Sequence, residues 1–195
     1  MRKLITAAAL SFLVAVPALA APKPEKPELQ TSWDLYLTSK EAYEMKTGQG
    51  NAVLFVDVRE PVEIMFTGFT DTVDENVPFL LVDPAKWSEE KPVLAMERNP
   101  DFADQIMQAL DERGLGQETP VILMCRSGGE RGAPSAKALE GLGLEAVYVV
   151  VDGFEGPTAG DDPNGLVRNV SGWKNSGLPW SYALNRDKIF TRSAD

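Results

Sequence analysis

The sequence predicts an α/β domain with a central, mostly parallel sheet and helices on both faces. Three observations lead there. Continuous apolar runs rich in β-branched residues, at 52–58, 120–124 and 146–151, read as strands buried on both sides. Segments with helical signals lie between them, and that alternation implies βαβ crossovers. Each run ends in polar or charged residues, joined by glycines after the second and third, at the strand ends where open parallel sheets bind ligands.

The elements follow in chain order. Residues 1–20 have a basic start at Arg2 and Lys3, an apolar run, and small residues at Ala18 and Ala20. This is the pattern of a secretory signal peptide, and a bacterial, periplasmic destination is expected. The apolar run is shorter than the roughly 20 residues of a spanning helix, so no stable membrane anchor is expected. Residues 21–32, with Pro22, Pro24 and Pro27 among charges, read as an extended tether. The domain proper is expected over 33–182, and 183–195 as a C-terminal tail.

Thr38-Ser-Lys-Glu41 forms a capping box, predicting a helix through Ala42, Tyr43 and Met45 that stops near Gly48. After the strand at 52–58, residues 76–82 are a further strand candidate, which Pro78 places at an edge or a strand start. Residues 83–98 show no period and are expected to form a long surface excursion. Asn99 and Pro100 supply an N-cap and a first-turn proline for a helix in which Phe102, Ile106 and Leu110 recur every four residues, up to Gly114. The strand at 120–124 precedes a helix at 135–142 ended by Gly143. The strand at 146–151 runs straight into Asp152-Gly-Phe-Glu-Gly156.

Composition removes several function classes. A hydrophobic share of 44% with 25% charged residues is that of a globular chain rather than a disordered or membrane-spanning one. The formal charge of −10 argues against a nucleic-acid partner, because such binding rests on clustered Lys and Arg. There is no histidine, so Ser-His-Asp, Cys-His and His-ligated zinc chemistry are excluded. A single cysteine, Cys125, rules out an internal disulfide.

Cys125 ends the strand at 120–124 and opens the stretch Cys125-Arg-Ser-Gly-Gly-Glu-Arg131. Gly128 and Gly129 let a loop curl so that backbone N–H groups point inward as an anion nest. With Arg126 and Arg131 nearby, the field favours a thiolate, suited to attack on a small anion that the same N–H groups hold. Cys125 is thus the candidate nucleophile. Arg126, Ser127, Gly128, Gly129, Glu130 and Arg131 are the candidate substrate-binding residues. Asp57 and Arg59, at the end of the first strand, are candidates for support behind the loop. Asp152, Gly153 and Glu155 read as a structural rim turn, and Phe154, Trp173 and Trp180 as core aromatics.

Four motifs in this order resemble a single-domain rhodanese: Phe55-Val-Asp-Val-Arg-Glu-Pro61, Cys125-Arg-Ser-Gly128 followed by Ser135-Ala-Lys-Ala-Leu139, Val150-Val-Asp-Gly-Phe154, and Gly172-Trp-Lys-Asn-Ser-Gly-Leu-Pro-Trp180. The resemblance spans residues 33–182. It implies a rhodanese-like fold and a sulfurtransferase without metal or organic cofactor, in which Cys125 carries a persulfide. The implied partners are a small sulfur-containing anion donor, such as thiosulfate, and a thiol or cyanide acceptor.

Two departures accompany it. The family's usual Gly-His-Ile stretch is replaced by Thr67-Gly-Phe-Thr-Asp-Thr-Val73. The loop also places its second arginine seventh, at Arg131, and this Cys125-x5-Arg131 spacing resembles phosphatases of the same fold. A phosphatase or arsenate reductase is therefore an alternative, and a non-catalytic sulfur or oxyanion binding module a third reading.

Overall fold

The computed structural model describes residues 21–162 and 164–191. The expected signal peptide, at 1–20, lies outside the described residues. A five-stranded sheet runs in the order β1 (Tyr36–Leu37), β7 (Val147–Val150), β6 (Val121–Met124), β2 (Leu54–Asp57) and β3 (Glu75–Asn76), each neighbouring pair parallel. Leu54 lies beside Val121 and Asp57 beside Met124, while Val121 lies beside Val147. The three long strands therefore leave the sheet on one rim, as the alternation predicts.

Burial on both faces explains why these strands are apolar throughout. Leu54, Val56, Val121, Leu123, Val147 and Val149 meet Phe102, Ile106 and Leu110 of α3 (Phe102–Glu112) and Ala136 of α4 (Gly132–Lys137). Phe55, Ile122, Met124 and Val150 face the opposite way, onto Ala42 of α1 (Ser39–Gln49), Ile64 of α2 (Pro61–Thr67), Phe154 and Trp173. The capping box of α1 is formed: the Glu41 carboxylate accepts from Thr38 N at 2.7 Å, and Thr38 Oγ1 accepts from Glu41 N at 3.3 Å.

Several elements differ from the sequence expectation. The candidate strand at 76–82 breaks at Pro78, which cannot donate to a ladder. Its halves become β3 and the start of β4 (Leu80–Trp87). The surface excursion expected at 83–98 is an ordered hairpin: β4 pairs antiparallel with β5 (Leu94–Arg98) apart from the main sheet, irregular between Asp83 and Trp87. Both strands of this hairpin are largely exposed, so no alternation of polar and apolar residues marks them.

The expected N-cap Asn99 is instead buried. Its amide donates to Pro78 O at 2.8 Å, and the residue flanking α3 is Asp101. α4 starts at Gly132 rather than Ser135, since Ser135 Oγ donates to Gly132 O inside the first turn, and it ends at Lys137. Two elements carried no signal strong enough to read. β1 is two buried residues between polar neighbours, and α2 begins at Glu60-Pro61, where the Glu60 carboxylate accepts from Val62 N at 2.6 Å.

Residues at both ends lie against this frame. Ala21 N donates to Tyr36 O at 3.0 Å, and Asn76 N donates to Lys188 O at 2.7 Å along the open edge of β3. Among the described residues no helix is long and apolar enough to cross a membrane.

Candidate active site

Cys125 continues the phase of Val121 and Leu123 one residue beyond β6, so it enters the loop from within the core and is only 2% exposed. The strand end is fixed by Val58 N, which donates to Met124 O at 2.9 Å. The turn after β7 locks onto the cysteine loop: Phe154 N donates to Cys125 O at 2.9 Å, and Glu155 N to Arg126 O at 2.8 Å. Two glycines make this approach possible. A Cβ on Gly128 (φ 71°) would lie 1.7 Å from Val151 O, and one on Gly153 (φ 60°) would lie 2.5 Å from Ser127 N. Both conformations also lie in the left-handed region that side chains disfavour.

None of the backbone N–H groups from Arg126 to Arg131 donates to an acceptor among the described residues. Successive N–H groups without a protein acceptor, beside a thiol, are the material of an anion nest; among these residues Gly128 is buried, Glu130 is exposed and the rest are half-buried.

The positive field expected from the arginines is shared with carboxylates. Arg131 holds Glu63, from the first turn of α2, in a two-pronged ion pair with Nη2 to Oε1 at 2.7 Å and Nη1 to Oε2. Burial alone would push the Glu63 carboxyl up, but the hydrogen bond and charge of Arg131, with Arg59 and Arg126 behind them, hold it below its ordinary value. Burial likewise opposes the charge on Arg131, yet Glu63 and the fields of Cys125 and Asp57 raise its pKa. Arg126 Nε donates to Glu155 Oε2 at 2.6 Å. Glu130 pairs with Lys91 at 2.5 Å, in the hairpin turn, and that hydrogen bond is the main cause of its lowered pKa.

Asp57 and Arg59 are wholly buried and do not line the cavity that opens over Cys125. Arg59 Nε donates to Asp57 Oδ1 at 2.9 Å and Nη2 to Oδ2 at 2.5 Å, while Nη1 reaches Thr67 Oγ1 at 2.8 Å. Its guanidinium lies 3.9 Å from the centre of the Phe154 ring. The pair therefore joins the end of β2, the end of α2 and the turn that holds the cysteine loop. That is support without contact to a substrate.

A cavity of about 640 Å³ opens over Cys125, and Arg126, Ser127, Gly129, Glu130 and Arg131 line it. Gly128 does not, because it faces the Val151 carbonyl. The opposite wall is the hairpin, through Leu80, Val82, Val93, Leu94 and Met96. Glu60, Glu63, Lys91 and Arg168 also line the cavity, and the motif reading missed all four. Of the four, only Glu60 stands inside a quoted motif, Phe55–Pro61, and none carries a local sign of a place at the cavity. A larger cavity of about 980 Å³, between α1 and residues 179–186, contains none of the candidate residues.

This is a rhodanese-like α/β fold, with the cysteine loop on the rim where the parallel strands end. Among solved structures, the chain is similar to Rv0390 from M. tuberculosis, with 28% identity and a TM-score of 0.51 over 76% of this chain and 97% of that one. A more distant likeness, with 20% identity and a TM-score of 0.42, is to the solution structure of a 30 kDa polysulfide-sulfur transferase homodimer from Wolinella succinogenes, over 75% of this chain and 77% of that one. No family model matches the chain, and no curated protein matches it.

Proposed function

We propose that the protein is an exported, periplasmic sulfurtransferase that moves sulfane sulfur from thiosulfate or a similar donor to a thiol or cyanide acceptor, with Cys125 as carrier. The observation that carries this reading is the thiol at the cavity floor beside the run of open amides from Arg126 to Arg131. The Cys125 thiolate attacks the outer sulfur of thiosulfate, the S–S bond of the donor breaks, and sulfite leaves with the electron pair. Cys125 then bears a persulfide, whose negative end the open amides stabilise. An acceptor thiolate takes the outer sulfur, and Cys125 departs as a thiolate again. No proton need be moved by a histidine.

Phosphate-ester or arsenate chemistry on the Cys125-x5-Arg131 loop would draw on the guanidinium of Arg131, and both of its Nη atoms are held by Glu63. Intact mass after thiosulfate treatment decides the matter. The wild type is expected to gain one sulfur, about 32 Da, and Cys125→Ser to gain nothing. An unchanged wild-type mass with every sulfur donor tried would overturn the reading.

A further inference from the structure

The cavity over Cys125 is poorly matched to an inorganic anion alone. Thiosulfate is no larger than about four water molecules at about 30 Å³ each, so it occupies about a fifth of the space. Charge points the same way. Three of the four cations that line the cavity, Arg126, Arg131 and Lys91, already face Glu155, Glu63 and Glu130. What the site offers beyond its open amides and the guanidinium of Arg168, whose Nη1 donates to Gly156 O, is an apolar wall. Leu80, Val93, Leu94 and Met96 of the hairpin face the cysteine loop, and Val62 of α2 stands beside them. Val62, Val93, Leu94 and Met96 are between 39% and 51% exposed, so a ligand lying on them gains burial the protein itself does not supply.

We propose that the thiol that discharges Cys125 has an apolar body, seated against the β4–β5 hairpin, with its sulfur directed to the open amides of residues 126–131. This rests on the sulfurtransferase reading and names its acceptor class. The step is balanced within the two partners. The acceptor enters as the thiol R–SH and gives its proton to the outer sulfur of Cys125–S–S⁻; R–S⁻ then attacks that sulfur, its bond to Cys125 Sγ breaks, and Cys125 Sγ leaves with the pair. The products are R–S–SH and the Cys125 thiolate, and no outside oxidant enters. A neutral hydrocarbon body asks nothing of the paired arginines, whereas a peptide thiol with several carboxylates would have to break those pairs or leave its own charges unmatched.

The test uses protein loaded with sulfur by thiosulfate, discharged to a series of straight-chain alkanethiols from ethanethiol to hexanethiol, with cyanide and glutathione alongside. Burial of each added methylene on the wall predicts a gain in kcat/KM of up to about fourfold, continuing until the chain reaches the rim. Leu94→Asp and Met96→Asp place a charge on the wall and are expected to flatten that rise. The ratio of hexanethiol to ethanethiol within each variant is the readout, so a general loss of activity does not obscure it. A flat series in the wild type, or glutathione outrunning hexanethiol, overturns the apolar acceptor while leaving sulfur transfer intact. If no donor loads Cys125 at all, the sulfurtransferase reading fails first and the acceptor with it.

Discussion

Arg59→Met should unfold the protein far more readily than a surface change, because it strands Asp57. Both side chains are 0% exposed, and the Asp57 carboxylate receives Nε and Nη2 of Arg59 as well as Arg59 N at 3.0 Å. Removing one partner of such a pair costs about 3–5 kcal/mol, since a charge is left in a medium that cannot solvate it. Loss of the donor to Gly68 O, at 3.1 Å, and of the stacking on Phe154 adds to the same deficit. Against a total stability of about 5–15 kcal/mol, a loss of about 4 kcal/mol is a large share. With a urea slope of about 2 kcal/mol per molar, the midpoint falls by about 2 M. Arg59→Lys should recover only part of this, because one ammonium cannot serve Asp57, Thr67 and Gly68 together. The double variant Asp57→Leu, Arg59→Met should recover more, since it leaves no charge behind. Equilibrium urea unfolding of the four proteins measures all of this. A midpoint for Arg59→Met within about 0.5 M of wild type would refute the reasoning.

Two further outcomes follow from the site. The folded-state pKa of Glu63 lies below its ordinary value of 4.5, so the stability it contributes is present above that value and is lost as pH falls through the folded pKa. Glu63→Gln should therefore lie well below wild type at pH 7, and the gap should narrow below about pH 4.5 when urea midpoints are compared across pH; a constant gap would remove the Arg131 pair as its cause. Gly128→Ala should cost at least about 2 kcal/mol and prevent sulfur loading, since its Cβ would meet Val151 O, whereas Gly141→Ala, with equally positive φ but nothing within 4 Å, should cost only about 1 kcal/mol of backbone strain. Equal costs at the two positions would show that the close approach of the two turns does not matter.

The three central strands, β2, β6 and β7, were legible because they obey one demand, burial on both faces, which writes itself as unbroken apolar runs; the two-residue edge strands β1 and β3 are too short to show it. The cysteine loop was legible because a thiol, two glycines and two arginines fell within seven residues at a strand end. The hairpin was not, since neither strand has a buried residue, and Pro84 within β4 and Pro92 in the turn read as loop. The partners of the arginines were hidden for a different reason. Glu63 and Glu155 lie 68 and 29 positions from Arg131 and Arg126, and in a chain with 29 acidic residues no local signal separates these two from the rest. Pairing of this kind is a property of the fold, not of any window of sequence.

That pairing assigns the parts of the site different work. An arginine left free beside the thiol would bind any small anion, and in doing so would hold sulfite after it had left. Under the proposed sulfur transfer, with both Nη atoms of Arg131 on Glu63 and Nε of Arg126 on Glu155, stabilisation of a Cys125 persulfide would pass to the backbone amides of 126–131, which sit on a loop held by the interlocked turns. The arginines instead tie the loop to α2 and to the turn after β7, and Arg59 ties that turn to β2 through Phe154. Rigidity of the nest then depends on these ion pairs around the loop. On the same proposal, selectivity would pass to the apolar side chains of the hairpin of residues 80–98, Leu80, Val93, Leu94 and Met96, which the Lys91–Glu130 pair ties to the cysteine loop.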